Sequence, residues 1–221
     1  MSLAADFDHL VVAVPNLADS VEQCHNVLGV RPIPGGAHPG LGTANALLGL
    51  EVAALGPGAR TYLEILGPDP DQDPALAAAR LSGITAPTVQ RWAIRPRDFD
   101  GLVTQAARTL GSECGTRVDL GEVHDMTRRT PDGGLLEWRL TRRTPLALGG
   151  IQPFLIDWKD SPHPAEQDMP SVELERLWAE TPEVDRTRSV LRFLDATLEV
   201  EAGDTESLHA TLKGPGGSWT L

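Results

Sequence analysis

Apolar residues follow two rhythms along this chain, and the order in which the rhythms alternate repeats. Residues 7–15, Phe-Asp-His-Leu-Val-Val-Ala-Val-Pro, form a nearly continuous apolar run closed by proline, the pattern of a buried strand. Asn16 then caps a helix whose apolar positions Leu17, Val21, Cys24 and Leu28 recur at helical spacing. Gly29 stands where a left-handed C-cap is expected. Gly- and Pro-rich turns follow, with strands predicted around Asn45–Leu50 and over Thr61–Leu66. The order is β-α-β-β-β.

The same order returns. Gln90–Arg95 reads as a strand ended by Pro96, and Asp98 caps a helix marked by Phe99, Leu102, Val103, Ala106 and Leu110, with Gly111 closing it. Strands are predicted at Val118–Val123 and Met126–Thr130, then the turn Pro131-Asp132-Gly133-Gly134, then the strand Leu135–Leu140. Matching Leu28-Gly29 to Leu110-Gly111 gives an offset of 82; matching the two Leu-Glu strands gives 73, so the second copy has shorter loops. A weaker third copy follows: a strand at Leu174–Glu180, a helix through Val184, Val190, Leu191 and Leu194, and strands at Thr197–Glu201 and Leu208–Lys213. Before it lie the apolar strand Ile151–Trp158 and the Pro-rich stretch Ser161–Pro170, the best linker candidate. The expected fold class is α+β, with paired βαβββ modules over 1–145 (about 1–70 and 86–145). Residues 146–221 would hold the connecting strand, the linker and a partial third βαββ module.

Composition narrows the partners. The 221 residues carry 41% hydrophobic and 23% charged side chains, as in a globular protein, and a net charge of −12. That charge argues against nucleic acid and against an anionic membrane surface. No apolar run approaches the ~20 residues that span a bilayer, and no basic segment precedes an apolar one at the start. With only Cys24 and Cys114 and no Cys-x-x-Cys pair, a reduced thiol and a cytoplasmic location are expected. The arginines 91, 95, 97, 128, 129, 139, 142 and 143 are either solvated strand faces or contacts for a small anion.

Paired βαβββ modules opening on Asp8-His9-Leu10-Val11-Val12-Ala13-Val14 resemble the vicinal-oxygen-chelate superfamily, and within it the glyoxalase-like domain family. The resemblance extends through His38-Pro39-Gly40-Leu41-Gly42-Thr43-Ala44-Asn45-Ala46-Leu47, Tyr62-Leu63-Glu64, Pro153–Trp158 and His163-Pro164. It implies a sheet-lined cup in which the first and fourth strands of each module hold a divalent metal (Fe, Mn, Ni or Zn). Carried over by position, the metal ligands are His9, Glu64 and Glu137. The fourth position falls on Arg91, whose guanidinium cannot ligate a cation.

Two readings of function follow. One is an enzyme of isomerase, lyase or dioxygenase type acting on a small oxygen-rich metabolite, with metal in the cup. The other is a metal-free small-molecule binding protein, or metal-free enzyme, anchored by Arg91, in which that guanidinium neutralises Glu64 or Glu137 by a forked hydrogen bond. His38, in the glycine-rich stretch Gly35–Gly42, is the candidate catalytic base or substitute ligand. Asn45, Arg91, Trp158 and His163 are the candidate substrate contacts. A homodimer is a further expectation from the superfamily.

Overall fold

Every residue of β1, Phe7–Ala13, is buried, which explains why it reads as a continuous apolar run: a central strand has both faces covered. The structure is a computed structural model and describes residues 3, 6–112, 115–129 and 134–221. Cys114 and the turn Pro131–Gly133 lie outside the described residues. The helix α1, Leu17–Leu28, starts at Asn16, whose side chain accepts from the Asp19 amide, and stops at Gly29 in the left-handed conformation. Then come β2 (Ile33–His38), β3 (Thr43–Glu51) and β4 (Tyr62–Pro68), giving the lateral order β2-β3-β4-β1. The glycine-rich stretch is therefore partly strand, with His38 at its end paired to Thr43.

The helix α2, Pro74–Leu81, was not legible as an element of either module. Asp73 caps it and Pro74 fills its first turn, where a missing amide costs nothing. The second module then runs β5 (Thr88–Ile94), α3 (Phe99–Leu110, capped by Asp98), β6 (Glu122–Arg129), β7 (Leu135–Arg142) and β8 (Phe154–Asp157). One strand replaces the two expected over 118–130. Residues 118–120 instead lie against α3, where the Val118 amide donates to Thr109 Oγ1. Gly121 turns the chain at φ +69 so close to β7 that a Cβ would sit 2.2 Å from the Arg142 carbonyl oxygen.

This shift in strand count changes the alignment of the modules. The fourth strand of the second copy is β8, which pairs parallel with β5 as β4 pairs parallel with β1. The segment expected to be a connection thus belongs to the second module, whose order is β6-β7-β8-β5. Strands β1 and β5 join the modules antiparallel, with His9 opposite Ala93 and Val11 opposite Arg91.

The last segment has β9 (Ser171–Thr181), α4 (Val184–Phe193), β10 (Glu199–Ala202), β11 (Ser207–Gly214) and β12 (Gly217–Thr220). Its element order matches the modules, but its pairing does not: β9 bonds to β11, to β10 and to the outer end of β3, extending the first module's sheet. The main apolar core, around Leu10, Val12, Leu63, Trp92, Leu177 and Leu212, fills one side of the sheet. On the other side Tyr62, Trp138, Ile156 and Trp158 line the cup.

Candidate functional site

Alternation along β1 and β4 brings His9, Tyr62 and Glu64 to the cup face, His9 in register with Tyr62 and Val11 with Glu64. The β1–β5 ladder slips at Asp8, and the side chain there, 0% exposed, lies beneath His9 instead of following the regular pleat. Asp8 Oδ1 stands 2.6 Å from His9 Nδ1. Its Oδ2 accepts from Trp158 Nε1 at 3.2 Å and from His163 Nε2 at 3.1 Å, with Arg95 Nη1 3.3 Å away. Burial alone would raise this carboxyl, but the bonds from His163 and His9, with their charge when protonated, outweigh it and hold Asp8 ionised far below the usual range.

Protonation states follow from those contacts. A carboxylate only accepts, so His9 carries a proton on Nδ1 and turns Nε2 toward the cavity. That Nε2 is 3.8 Å from Glu64 Oε2. His163 accepts the Ala165 amide on Nδ1 and donates from Nε2, so it is fully used behind the site. The His9 ring is further fixed by stacking on Tyr62 at 4.5 Å and by the edge contact with Phe154 at 5.3 Å.

Glu64, 9% exposed, receives the Asn45 amide at 2.6 Å and has His38 Nε2 3.9 Å away. Gly35 of β2 leaves room for the Asn45 amide: a Cβ there would lie 2.2 Å from Asn45 Oδ1. Burial pushes the Glu64 carboxyl up, yet His38, His9, the Asn45 bond and Arg91 together hold it below its usual range. His38 Nδ1 lies 3.1 Å from Thr43 Oγ1. Burial, opposed by Glu64 and reinforced by Arg80, Arg128 and Arg91, pushes His38 down to about 4, so its ring is neutral at pH 7. Arg80 arrives from α2 and is itself pushed down to about 10 by burial and by Arg91. Arg128 of β6 donates to Asn45 Oδ1 at 3.3 Å, while its Nε and that of Arg91 are buried without a partner. These residues surround a cavity of about 610 Å³, counting its open mouth.

A family model described as a glyoxalase-like domain matches residues 7–194. The chain belongs to the glyoxalase-like domain family. No curated protein matches it significantly. Among solved structures, a hypothetical protein from Staphylococcus aureus is similar at 17% identity and a TM-score of 0.60, over 97% of this chain and 84% of that one. Methylmalonyl-CoA epimerase from Mycobacterium tuberculosis matches at 21% identity and a TM-score of 0.42, over 76% of this chain and 95% of its own. A Streptomyces coelicolor methylmalonyl-CoA epimerase with 2-nitronate-propionyl-CoA matches at 21% and 0.43, over 70% and 97%.

The glyoxalase-like resemblance implies a metal, and the register tests whether this cup suits one. In the pseudo-twofold that exchanges β1 with β5, His9 maps onto Arg91 and Val11 onto Ala93. Glu64, in register with Val11, then maps onto Phe154, in register with Ala93. The four positions are therefore His9, Glu64, Arg91 and Phe154, and Arg91 packs over the Phe154 ring at 5.4 Å. Glu137 is not among them. On β7 the buried Leu136 and Trp138 point inward and Glu137 points to solvent, its amide donating to Ser161 Oγ. Among the described residues no group of three or more His, Cys, Asp or Glu side chains is placed to hold a metal. With Arg80, Arg91 and Arg128 on its walls, the donor set suits an anion better than a divalent cation.

Of the residues singled out by sequence, the cup brings together His9, His38, Asn45, Glu64, Arg91 and Trp158. His163 supports Asp8 instead of lining the cavity, because both ring nitrogens are already bonded. The forked bond from Arg91 to Glu64 or Glu137 is replaced by the Phe154 contact; Arg91 forms no ion pair among the described residues. Asp8, Arg80 and Arg128 are parts of the site that the sequence reading gave no specific role. For Asp8 a signal existed: a carboxylate inside an apolar strand, adjacent to a histidine, is costly unless paired. Arg128 stood only among the arginines read as either solvated faces or small-anion contacts, and no signal marked Arg80.

Proposed function

We propose that this glyoxalase-like protein is an enzyme that moves a proton on a small, oxygen-rich anion, an isomerase or lyase in type. The arrangement that carries the reading is His9, fixed by Asp8 and facing Glu64 in a cavity whose other charged walls are guanidinium. An anionic substrate enters against Arg91 and Arg128, which neutralise its charge in a site of low dielectric. The Glu64 carboxylate, or His9 Nε2, takes a proton from the carbon beside a carbonyl. The C–H electron pair passes to the carbonyl oxygen, and the resulting oxyanion rests on a guanidinium. Return of the proton regenerates the carbonyl, and return to the other face or a neighbouring atom gives the isomer. Asp8 stays ionised throughout and stabilises the imidazolium when His9 holds the proton. Neutral His38 donates or accepts a hydrogen bond without adding charge.

A binding protein with the same cup would hold the same ligands and leave their C–H bonds intact. Exchange in D2O separates the two. Small 2-oxo acids that raise the melting temperature are incubated with the protein, and loss of the α-proton signal is followed by NMR. Exchange is expected, falling about 100-fold or more in Glu64→Gln, the usual scale of a lost acid–base group. Tight binding with no exchange above the buffer rate would leave the cup as a binding site.

A further inference from the structure

Behind the wall made by Arg91, Thr141 and Phe154 lies a second cavity of about 370 Å³, counting its open mouth. Those three residues line both cavities, so the two spaces are neighbours. The second is lined also by Arg142, Arg143 and Gln152. Two of its three guanidiniums form no ion pair among the described residues. Arg143 is neutralised by Asp119 at 2.8 Å, whereas Arg142, at the end of β7, has no hydrogen bond or ion pair from its side chain among the described residues. Arg91 Nε is buried and unpartnered. Guanidiniums that line one cavity without an ion pair repel each other, a cost that an oxyanion placed between them recovers.

We propose that this second cavity is an oxyanion subsite, taking a carboxylate or phosphate at the far end of the substrate between Arg91 and Arg142. The inference rests on the proton-transfer reading for the near end, where the reacting oxygens face His9 and Glu64. The substrate class is then bipartite: a small oxygen-rich head and an anionic tail, joined past Thr141 and Phe154. Burial, opposed by Glu64 and reinforced by the neighbouring Arg142, holds Arg91 below the usual guanidinium range.

Isothermal titration of the full chain with inorganic phosphate and, separately, malonate tests this. Binding to the second cavity is expected, with its Kd rising at least about tenfold in Arg142→Gln and less than about twofold in Arg128→Gln, which touches the first cavity only; tenfold is the low end for a hydrogen bond to a charged group. The tighter anion identifies the tail as phosphate or carboxylate. Arg142→Lys is the second variant if the glutamine protein has no melting transition, and weakening is expected there too because the planar fork is lost. Unchanged affinity in Arg142→Gln, or no binding of either anion, overturns the subsite. Weakening in Arg128→Gln alone places the anion in the first cavity, which removes this subsite and leaves the proton-transfer reading standing. Loss of proton exchange with a persistent Arg142 effect is the reverse case.

Discussion

The two modules share one strand order and one helix position, yet their cup faces have opposite chemistry. In the first, His9 and Glu64 sit on neighbouring parallel strands, ready to hold or move a proton. In the second, the equivalent places hold Arg91 and Phe154, a fixed cation lying on an aromatic ring. On the proposed function, a symmetric scaffold is divided into a proton-transfer half and an anion-anchoring half. The difference teaches that backbone symmetry constrains where side chains point and leaves what they are free to diverge.

The largest break in that division should come from Asp8→Ala. Four polar groups converge on one buried carboxylate, and removing it strands His163 Nε2, Trp158 Nε1 and His9 Nδ1. A loss of about 3–5 kcal/mol in urea unfolding is expected, together with loss of proton exchange in whatever fraction stays folded. A stability change under about 1 kcal/mol would mean that the first module does not depend on this hub.

A smaller effect comes from acid. His38 is held near 4 in the folded protein against an ordinary 6.5, so the unfolded chain binds the extra proton first. Stability is therefore complete above about pH 6.5 and declines as pH falls toward 4, by roughly 1.4 kcal/mol per unit at most for this group. Asp8 and Glu64, both depressed, add their loss only below their ordinary carboxylate values. Urea midpoints between pH 7.5 and 5 should fall in the wild type and flatten in His38→Gln. Parallel slopes in the two proteins would remove His38 from the account.

The smallest effect, and the sharpest on the second module, belongs to Arg91→Met. Because Arg91 has no ion pair and a stranded Nε, replacing it should cost little or even stabilise by about 1 kcal/mol, while anion binding is lost. Destabilisation of about 3 kcal/mol or more would restore the view that Arg91 is paired to a buried carboxylate. Thermal melts with and without malonate report both quantities at once.

Much of this was legible in the sequence, for reasons that are local. Asn16 and Asp98 cap their helices, Gly29 ends the first one left-handed, and β1 is buried throughout. His9, Glu64, Asn45, His38 and Arg91 meet in the cup as expected from the resemblance. What failed depended on long-range pairing. The Leu-Glu of β7 imitates that of β4, but only strand partners reveal that β8 is the fourth strand, and a single extra strand in the count moved the ligand position to the exposed Glu137. The third copy repeats the element order while its first strand bonds to β11 and β3, a choice that alternation of apolar residues cannot encode. Arg80 and Arg128 enter the cup from α2 and the edge strand β6, elements whose place is fixed only when the sheet curls.

The central claim is that the cup is built for an anion, with one acid–base half and one guanidinium half. The most direct test compares two titrations of protein purified without chelator or metal resin: oxalate, a small planar dianion, and the divalent ions of Mn, Fe, Ni and Zn, each followed by thermal melt alongside elemental analysis. A rise in melting temperature with oxalate, lost in Arg91→Met, and no rise with any of the metals is the predicted result. Near-stoichiometric metal that raises the melt and disappears in Glu64→Gln would contradict it and assign the cup to a cation.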